Sequence, residues 1–89
     1  MRVPVALFAR YREAVGLGRV EVEVNERATV EDVWTALVTA HPALTRYRPH
    51  TLFAVGTDYV EPDRPVRAGE EVACFPPVSG GAAFSGGAA

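Results

Sequence analysis

The sequence contains no lysine, since all nine of its basic side chains are arginines. A chain without ε-amino groups cannot accept a conjugate on a lysine, whatever it donates to other proteins. A single cysteine, Cys74, excludes an internal disulfide and a multi-cysteine metal site. The net charge of -2 provides no cationic field for a phosphate backbone, so no nucleic-acid partner is expected.

Long apolar runs are also missing. The run at residues 3–9 is too short for a membrane span or for the apolar centre of a secretory signal, so we expect a cytoplasmic protein without membrane contact. At 89 residues the chain should form one small domain with little room for a buried cleft. His41 and His50 have no further ligand at metal-binding spacing, so no metal is expected.

Alternation of apolar and other residues predicts the strands. Val3, Val5 and Leu7 should face the core, which turns Phe8 to the opposite face of the first strand. Residues 19–24 alternate valine with charge and predict a second strand that forms a hairpin with the first. Further strands are predicted at residues 52–55, 59–60 and 71–75, and a helical turn at residues 11–15.

One main helix is predicted after Thr29. Thr29 and Asp32 have the spacing of a capping box, and apolar residues then follow with helical periodicity as far as Pro42. Trp34 lies on this apolar stripe and is interpreted as a core residue. The fold class is therefore α+β, a sheet of four to five strands packed on one main helix, for which a β-grasp is the natural candidate.

The composition changes abruptly near the end of the chain. Residues 79–89 are small, uncharged and rich in glycine, alanine and serine, which predicts a flexible tail after a domain at residues 1–78. The tail contains the diglycine Gly80-Gly81.

Three stretches resemble the MoaD/ThiS family of sulfur carriers, and within it most of all the molybdopterin synthase small subunit. They are Leu-Phe-Ala-Arg-Tyr-Arg-Glu at residues 7–13, Ala-Gly-Glu-Glu-Val at residues 68–72 and Cys-Phe-Pro-Pro-Val-Ser-Gly-Gly at residues 74–81. The last of these is the most specific, because a diglycine without the Phe-Pro-Pro lead-in would be weak evidence.

The resemblance implies a mixed-sheet, ubiquitin-like β-grasp that carries sulfur at its C-terminal glycine for molybdenum cofactor biosynthesis. Gly81 would be adenylated by an E1-like adenylyltransferase that uses ATP, and then converted to a thiocarboxylate with sulfur from a sulfurtransferase. The chain itself would bind no cofactor and, as the sulfur-donating subunit of the synthase complex, would have no activity alone. The tail residues entering partner active sites would be Pro76, Pro77, Val78, Ser79 and Gly80.

The same resemblance implies a hydrophobic interface with the large subunit of molybdopterin synthase. Phe75 should be exposed beside the root of the tail, since strand alternation places Val72 and Cys74 in the core. Phe8 also points outward, and Tyr59 matches an interface position of the family. We predict that Phe8, Tyr59 and Phe75 form the partner interface. Cys74 is interpreted as a small core residue and not as a sulfur-relay nucleophile.

One departure from the family is the length of the tail, because Gly81 is followed by eight residues, 82–89. An amide at Gly81 cannot be adenylated, so we expect a processing protease to cut after this residue. A cut after Gly87, at the second Ser-Gly-Gly, ranks lower because it has no Pro-Pro lead-in. The sequence also leaves open a carrier for thiamine, cysteine or tRNA thiolation, an unprocessed binding module, and a ubiquitin-like modifier conjugated through Gly81.

Overall fold

The computed structural model describes residues 1–76, apart from the side chains of residues 48–50. Its strands are β1 (Arg2–Leu7), β2 (Arg19–Glu23), β3 (Leu52–Val55), β4 (Asp58–Val60) and β5 (Val72–Phe75). Its helices are α1 (Arg10–Val15), α2 (Val30–Ala40) and a 3-10 helix (Pro42–His50).

The five strands form one mixed sheet in the order β2-β1-β5-β3-β4. β1 and β5 are parallel, and the other neighbouring strands are antiparallel. The predicted hairpin of β1 and β2 is confirmed, as is the prediction of a sheet on one main helix.

The core lies between one face of this sheet and α2. The inward residues of β1 are buried as alternation predicted, and so are Val72 and Cys74 of β5. They pack with one side of α2, where Val30, Val33, Trp34 and Leu37 are buried. Val38, at the margin of the same apolar stripe, is only partly buried.

The capping box predicted for α2 is present. The backbone N–H of Asp32 donates to the Thr29 hydroxyl at 3.3 Å, and the Thr29 N–H donates to the Asp32 carboxylate at 2.9 Å. Each bond satisfies a backbone donor at the start of the helix, which has no partner within the helix itself.

Two features near α1 were not predicted. Residues 42–50, to which the sequence analysis assigned no element, form the 3-10 helix, and its Leu44 is fully buried. Tyr11 of α1 is also a core residue, and its hydroxyl lies 2.8 Å from that of Thr51. Since the Thr51 hydroxyl donates to the Tyr47 carbonyl, these bonds tie α1 to the 3-10 helix. Burial raises the pKa of Tyr11.

Candidate functional site

The parallel pairing of β1 with β5 brings the two predicted phenylalanines together. Leu7 lies opposite Cys74 in this pair, so the next residues, Phe8 and Phe75, are also neighbours and lie on the face away from α2. Their rings stack with centroids 4.6 Å apart and planes within 8° of each other. The chain leaves the sheet at Pro76, directly beyond this pair.

Tyr59, on the edge strand β4, lies next to this pair of phenylalanines. It lies opposite Ala54 on β3, and β3 is also the neighbour of β5. The Tyr59 ring meets that of Phe75 edge to face, with centroids 6.1 Å apart. We call Phe8, Tyr59 and Phe75 the aromatic cluster. Phe8 is 42% exposed, Tyr59 is 72% exposed and Phe75 is half-buried between them.

Leu52 extends the apolar surface and was missed by the sequence analysis. It is the partner of Phe75 across β3 and β5, on the face away from α2, and it is 39% exposed. Its four-residue strand, Leu-Phe-Ala-Val, is apolar throughout, so alternation could not indicate which side chains face outward. The aromatic cluster and Leu52 form a continuous apolar surface beside the point where the tail begins. Such surfaces are typical of protein interaction sites.

A strained turn holds Phe8 in this position. The Tyr11 N–H donates to the Phe8 carbonyl at 3.1 Å, and Ala9 between them has φ 53° and ψ -128°. These angles are those of the first central residue in a type II′ turn, which favours glycine. Ala9 is the only described residue other than glycine with a positive φ. Backbone strain of this kind is concentrated at functional sites.

Cys74 is not available as a nucleophile. It is 1% exposed, and burial raises the pKa of its thiol to about 12. Since the reactive form of cysteine is the thiolate, the group is inert near neutral pH. The prediction that Cys74 is a core residue is confirmed.

The neighbouring carboxylates of Glu70 and Glu71 have separate arginine partners and do not form an acid/base pair. Glu70 accepts from both terminal nitrogens of Arg64, at 2.6 and 3.0 Å, and Glu71 accepts from Arg19 at 2.8 Å. The bonds from Arg64, and one from the Arg67 backbone, lower the pKa of Glu70 to about 2. These contacts have a structural role in the loop before β5.

Within residues 1–76 no group of three potential metal ligands is found. Nor is any helix in this part of the chain long and apolar enough to cross a membrane. Of the residues predicted to enter partner active sites, Pro76 directly follows β5 and is half-buried. Pro77, Val78, Ser79, Gly80 and Gly81 lie outside the described residues, as does the rest of the predicted tail.

One family model and two known proteins each match most of this chain. The model of the ThiS family matches residues 5–81, so the match ends at Gly81. The molybdopterin synthase sulfur carrier subunit of Chlamydomonas reinhardtii is 36% identical, over 91% of this chain and 100% of that protein. The small archaeal modifier protein 1 of Haloferax volcanii is 39% identical, over 84% of this chain and 95% of that protein.

The fold is shared with solved structures. The crystal structure of the Haloferax volcanii modifier protein superposes with a TM-score of 0.81 at 37% identity, over 91% of this chain and 100% of that one. The fold is therefore the ubiquitin-like β-grasp, as expected from the sequence.

Proposed function

The chain belongs to the ThiS family, and we propose that it is a sulfur carrier, the small subunit of a molybdopterin synthase, with its chemistry at Gly81. The relative from Chlamydomonas reinhardtii, matched over its whole length, carries that name. The observation that supports the proposal most strongly is the position of the aromatic cluster. Its exposed rings lie beside Pro76, where the chain leaves the sheet on its way to Gly81.

The large subunit of the synthase is the proposed partner of the aromatic cluster. Buried aromatic side chains contribute a large share of the binding energy at many interfaces. Docking on this surface would hold the root of the tail against the partner, and residues 76–81 would then enter its active site. Two glycines at the end of this segment permit close approach of backbone to a reacting group, because they have no Cβ. The two prolines before them restrict φ and reduce the entropy lost when the tail is ordered.

The proposed chemistry begins with activation of the Gly81 carboxylate. The carboxylate attacks the α-phosphorus of ATP on an E1-like adenylyltransferase, pyrophosphate leaves, and an acyl adenylate is formed. A sulfur nucleophile supplied by a sulfurtransferase then attacks the acyl carbon and AMP leaves. Where the donor is a persulfide, the product is an acyl disulfide; a second thiol then attacks the sulfur of the sulfurtransferase, forms a disulfide with it and releases the thiocarboxylate. In this proposal the partners bind the domain at residues 1–78, and the part of the tail that they act on is residues 79–81.

Removal of residues 82–89 is a requirement of this proposal. Gly81 has no free carboxylate while they are attached, so a processing protease must act first. The end of the family match at Gly81 supports this position over Gly87.

The test compares two proteins, residues 1–81 and residues 1–89, each incubated with the E1-like enzyme of the same cells, ATP and a sulfurtransferase. Intact-mass analysis should show exchange of one oxygen for sulfur in the shorter protein and no change in the longer one. Failure of the shorter protein to form an adenylate would refute the proposal. A protein that is adenylated but transfers no sulfur to a large subunit would indicate another acceptor pathway, such as thiamine, cysteine or tRNA thiolation.

A second function is favoured by the relative from Haloferax volcanii, which is named as a protein modifier. In that case activated Gly81 would form an amide with a lysine of a target protein. Cells that express a tagged chain would then contain larger adducts that resist thiol reductants, and their digestion would yield lysines bearing the Gly81 end. Sulfur transfer in the absence of such adducts would favour the carrier.

A further inference from the structure

A hollow opens on the face of the sheet away from α2, beside the aromatic cluster. Tyr59 of β4 and Leu52 of β3 both point to this face. Phe53 and Val60 are opposite each other on these strands, and the next residues along the two strands are Leu52 and Glu61. Strand alternation therefore places Glu61 beside Leu52 and on the same face as Tyr59. All three residues line a hollow of about 480 Å³, which is within the range of small-molecule binding sites.

The hollow contains a single charge. Among the described residues that line it, Glu61 is the only one with a charged side chain. Glu61 is exposed, and its carboxylate has no ion pair or hydrogen bond with another described residue. The carboxylates of Glu70 and Glu71, in contrast, are each bound by an arginine. The carboxylate of Glu61 is therefore available to a cation from another molecule.

Backbone hydrogen bonds fix the segment that carries Glu61. The Arg64 N–H donates to the Glu61 carbonyl at 3.1 Å. The Glu31 N–H, in the first turn of α2, donates to the Pro62 carbonyl at 2.8 Å. A carboxylate on a fixed backbone loses less conformational freedom when it binds a partner. The shape of the hollow is thus set by the fold and does not depend on a partner.

The residues of the hollow suit the side chain of an arginine. The Tyr59 ring is 72% exposed beyond its contact with Phe75, so a cation can lie over it. Leu52 offers an apolar surface to the methylene stem of a long basic side chain. The carboxylate of Glu61 can accept two parallel N–H groups from one guanidinium. A lysine ammonium is more strongly hydrated and has no such planar pair of donors, so arginine fits better.

Binding at the aromatic cluster would also affect Glu61. A partner that covers Tyr59 and Leu52 lies over the hollow that they share with Glu61, and it removes water from the carboxylate. A carboxylate that is buried at an interface without a cation opposes binding, because it loses its hydration and gains no partner. A protein that covers this surface tightly must therefore bring a positive charge to the hollow.

We propose that the hollow formed by Leu52, Tyr59 and Glu61 binds an arginine side chain of the protein that docks on the aromatic cluster. The guanidinium would pair with Glu61 and lie against the Tyr59 ring. This inference rests on the proposed docking at the cluster and adds the charge of the partner at one point. It also fixes the orientation of the partner, because the hollow lies on the β4 side of the cluster and Phe8 on the β1 side.

The first experiment needs no partner protein. The full chain, isotope-labelled, is titrated with N-acetyl-arginine methylamide and separately with N-acetyl-citrulline methylamide, which has nearly the same shape and no charge. We expect the backbone amide NMR signals of Leu52 and Tyr59 to shift at least about threefold more with the arginine compound. In Glu61→Gln this difference should disappear. Equal shifts with the two compounds, or the same difference in Glu61→Gln, would overturn the inference.

The second experiment measures the affinity of residues 1–81 for the large subunit, with urea unfolding to check that each variant is folded. Glu61→Gln should raise the Kd about tenfold, because it removes the charge pair. Glu61→Arg should raise it about a hundredfold, because it places two like charges together. Glu26→Arg makes the same change in net charge at an exposed residue after β2, on the other edge of the sheet. Its Kd should stay within about threefold of the wild type, since salt screens a charge at that distance.

The outcomes separate this inference from the proposed function. Wild-type affinity of both Glu61 variants, together with weak binding of Tyr59→Ala, would overturn the inference and leave docking at the aromatic cluster intact. A large subunit that does not bind even the wild-type chain would refute the proposed function. The titration with the arginine compound would then still decide whether the hollow binds a guanidinium group.

Discussion

Replacement of Tyr59 by alanine separates the role of the aromatic cluster in binding from its role in folding. The side chain is 72% exposed, and its ring contact is the edge-to-face pair with Phe75. A pair of this kind contributes about 0.5–1.5 kcal/mol where it is buried, and less where water reaches both rings. We therefore expect Tyr59→Ala to lower the free energy of unfolding by about 0.5 kcal/mol.

Tyr59→Ala should weaken binding to the large subunit by much more than it lowers the free energy of unfolding. In a complex with the large subunit the ring would be fully buried, and truncation of a central aromatic residue at an interface costs about 2 kcal/mol or more. This corresponds to a rise in Kd of about 30-fold. Phe75→Ala is a less clear test, because Phe75 is half-buried and has ring contacts with both Phe8 and Tyr59. Its truncation would change folding and binding together.

The assay is calorimetric titration of residues 1–81 with the large subunit, beside urea unfolding followed by the fluorescence of buried Trp34. Tyr59→Phe keeps the ring and should bind within about threefold of the wild type, since it loses at most one exposed hydrogen bond. Thr39→Ala, on α2, which packs on the sheet face opposite to the aromatic cluster, should leave the affinity unchanged and alter the free energy of unfolding by less than about 1 kcal/mol. A folded Tyr59→Ala protein with wild-type affinity would show that the cluster is not the docking surface.

Four other substitutions test the fold, each measured by urea unfolding. Ala9→Gly should raise the free energy of unfolding by about 1 kcal/mol, since it relieves the positive φ at a cost in chain entropy, and a loss would contradict the assigned turn. Thr29→Ala should lower it by about 1 kcal/mol through loss of the capping box, and no change would contradict that role. Cys74→Ser should lower it by about 2 kcal/mol, because the hydroxyl would be buried in an apolar site, and an unchanged midpoint would contradict the burial. The pKa of Glu70 is lowered from 4.5 to about 2 in the folded protein, so its pair with Arg64 stabilises the fold fully above pH 4.5 and progressively less as the pH falls towards 2. Glu70→Gln should remove this part of the pH dependence, and an unaltered pH profile would contradict it.

Local patterns in the sequence predicted the individual elements, because each depends on neighbours a few residues away. Period-two alternation located β1 and β2, and the spacing of Thr29 and Asp32 located the start of α2. The 3-10 helix at residues 42–50 has no such signal, since Leu44 is the only fully buried residue among residues 42–47, whose side chains are described. Burial of Tyr11 could not be predicted either, because it depends on Thr51, 40 residues away.

The candidate site depends more on long-range pairing of strands than the individual helices and strands do. Alternation alone predicted that Phe8 and Phe75 point away from the core, and exposure of Phe8 is confirmed. Their contact requires β1 and β5 to be adjacent, parallel and in the observed register, which no local pattern contains. The resemblance to a family selected these positions together with Tyr59, and their role in binding stays a prediction.

The same parallel pairing limits where a partner can place its reacting group. Because β1 and β5 run in the same direction, their carboxyl ends lie at the same end of the sheet. The aromatic cluster and Pro76, where the chain leaves β5, lie at that end as well. Gly81 is five residues beyond Pro76, and a fully extended chain of that length spans at most about 17 Å. A partner that covers the cluster and acts on Gly81 must therefore hold its nucleophile or phosphate within about 17 Å of Pro76. Deletion of one tail residue removes about 3.4 Å of reach. If Gly81 reacts as proposed, this deletion should slow transfer more than it weakens docking, because the cluster and the end of the tail would meet the partner at separate points.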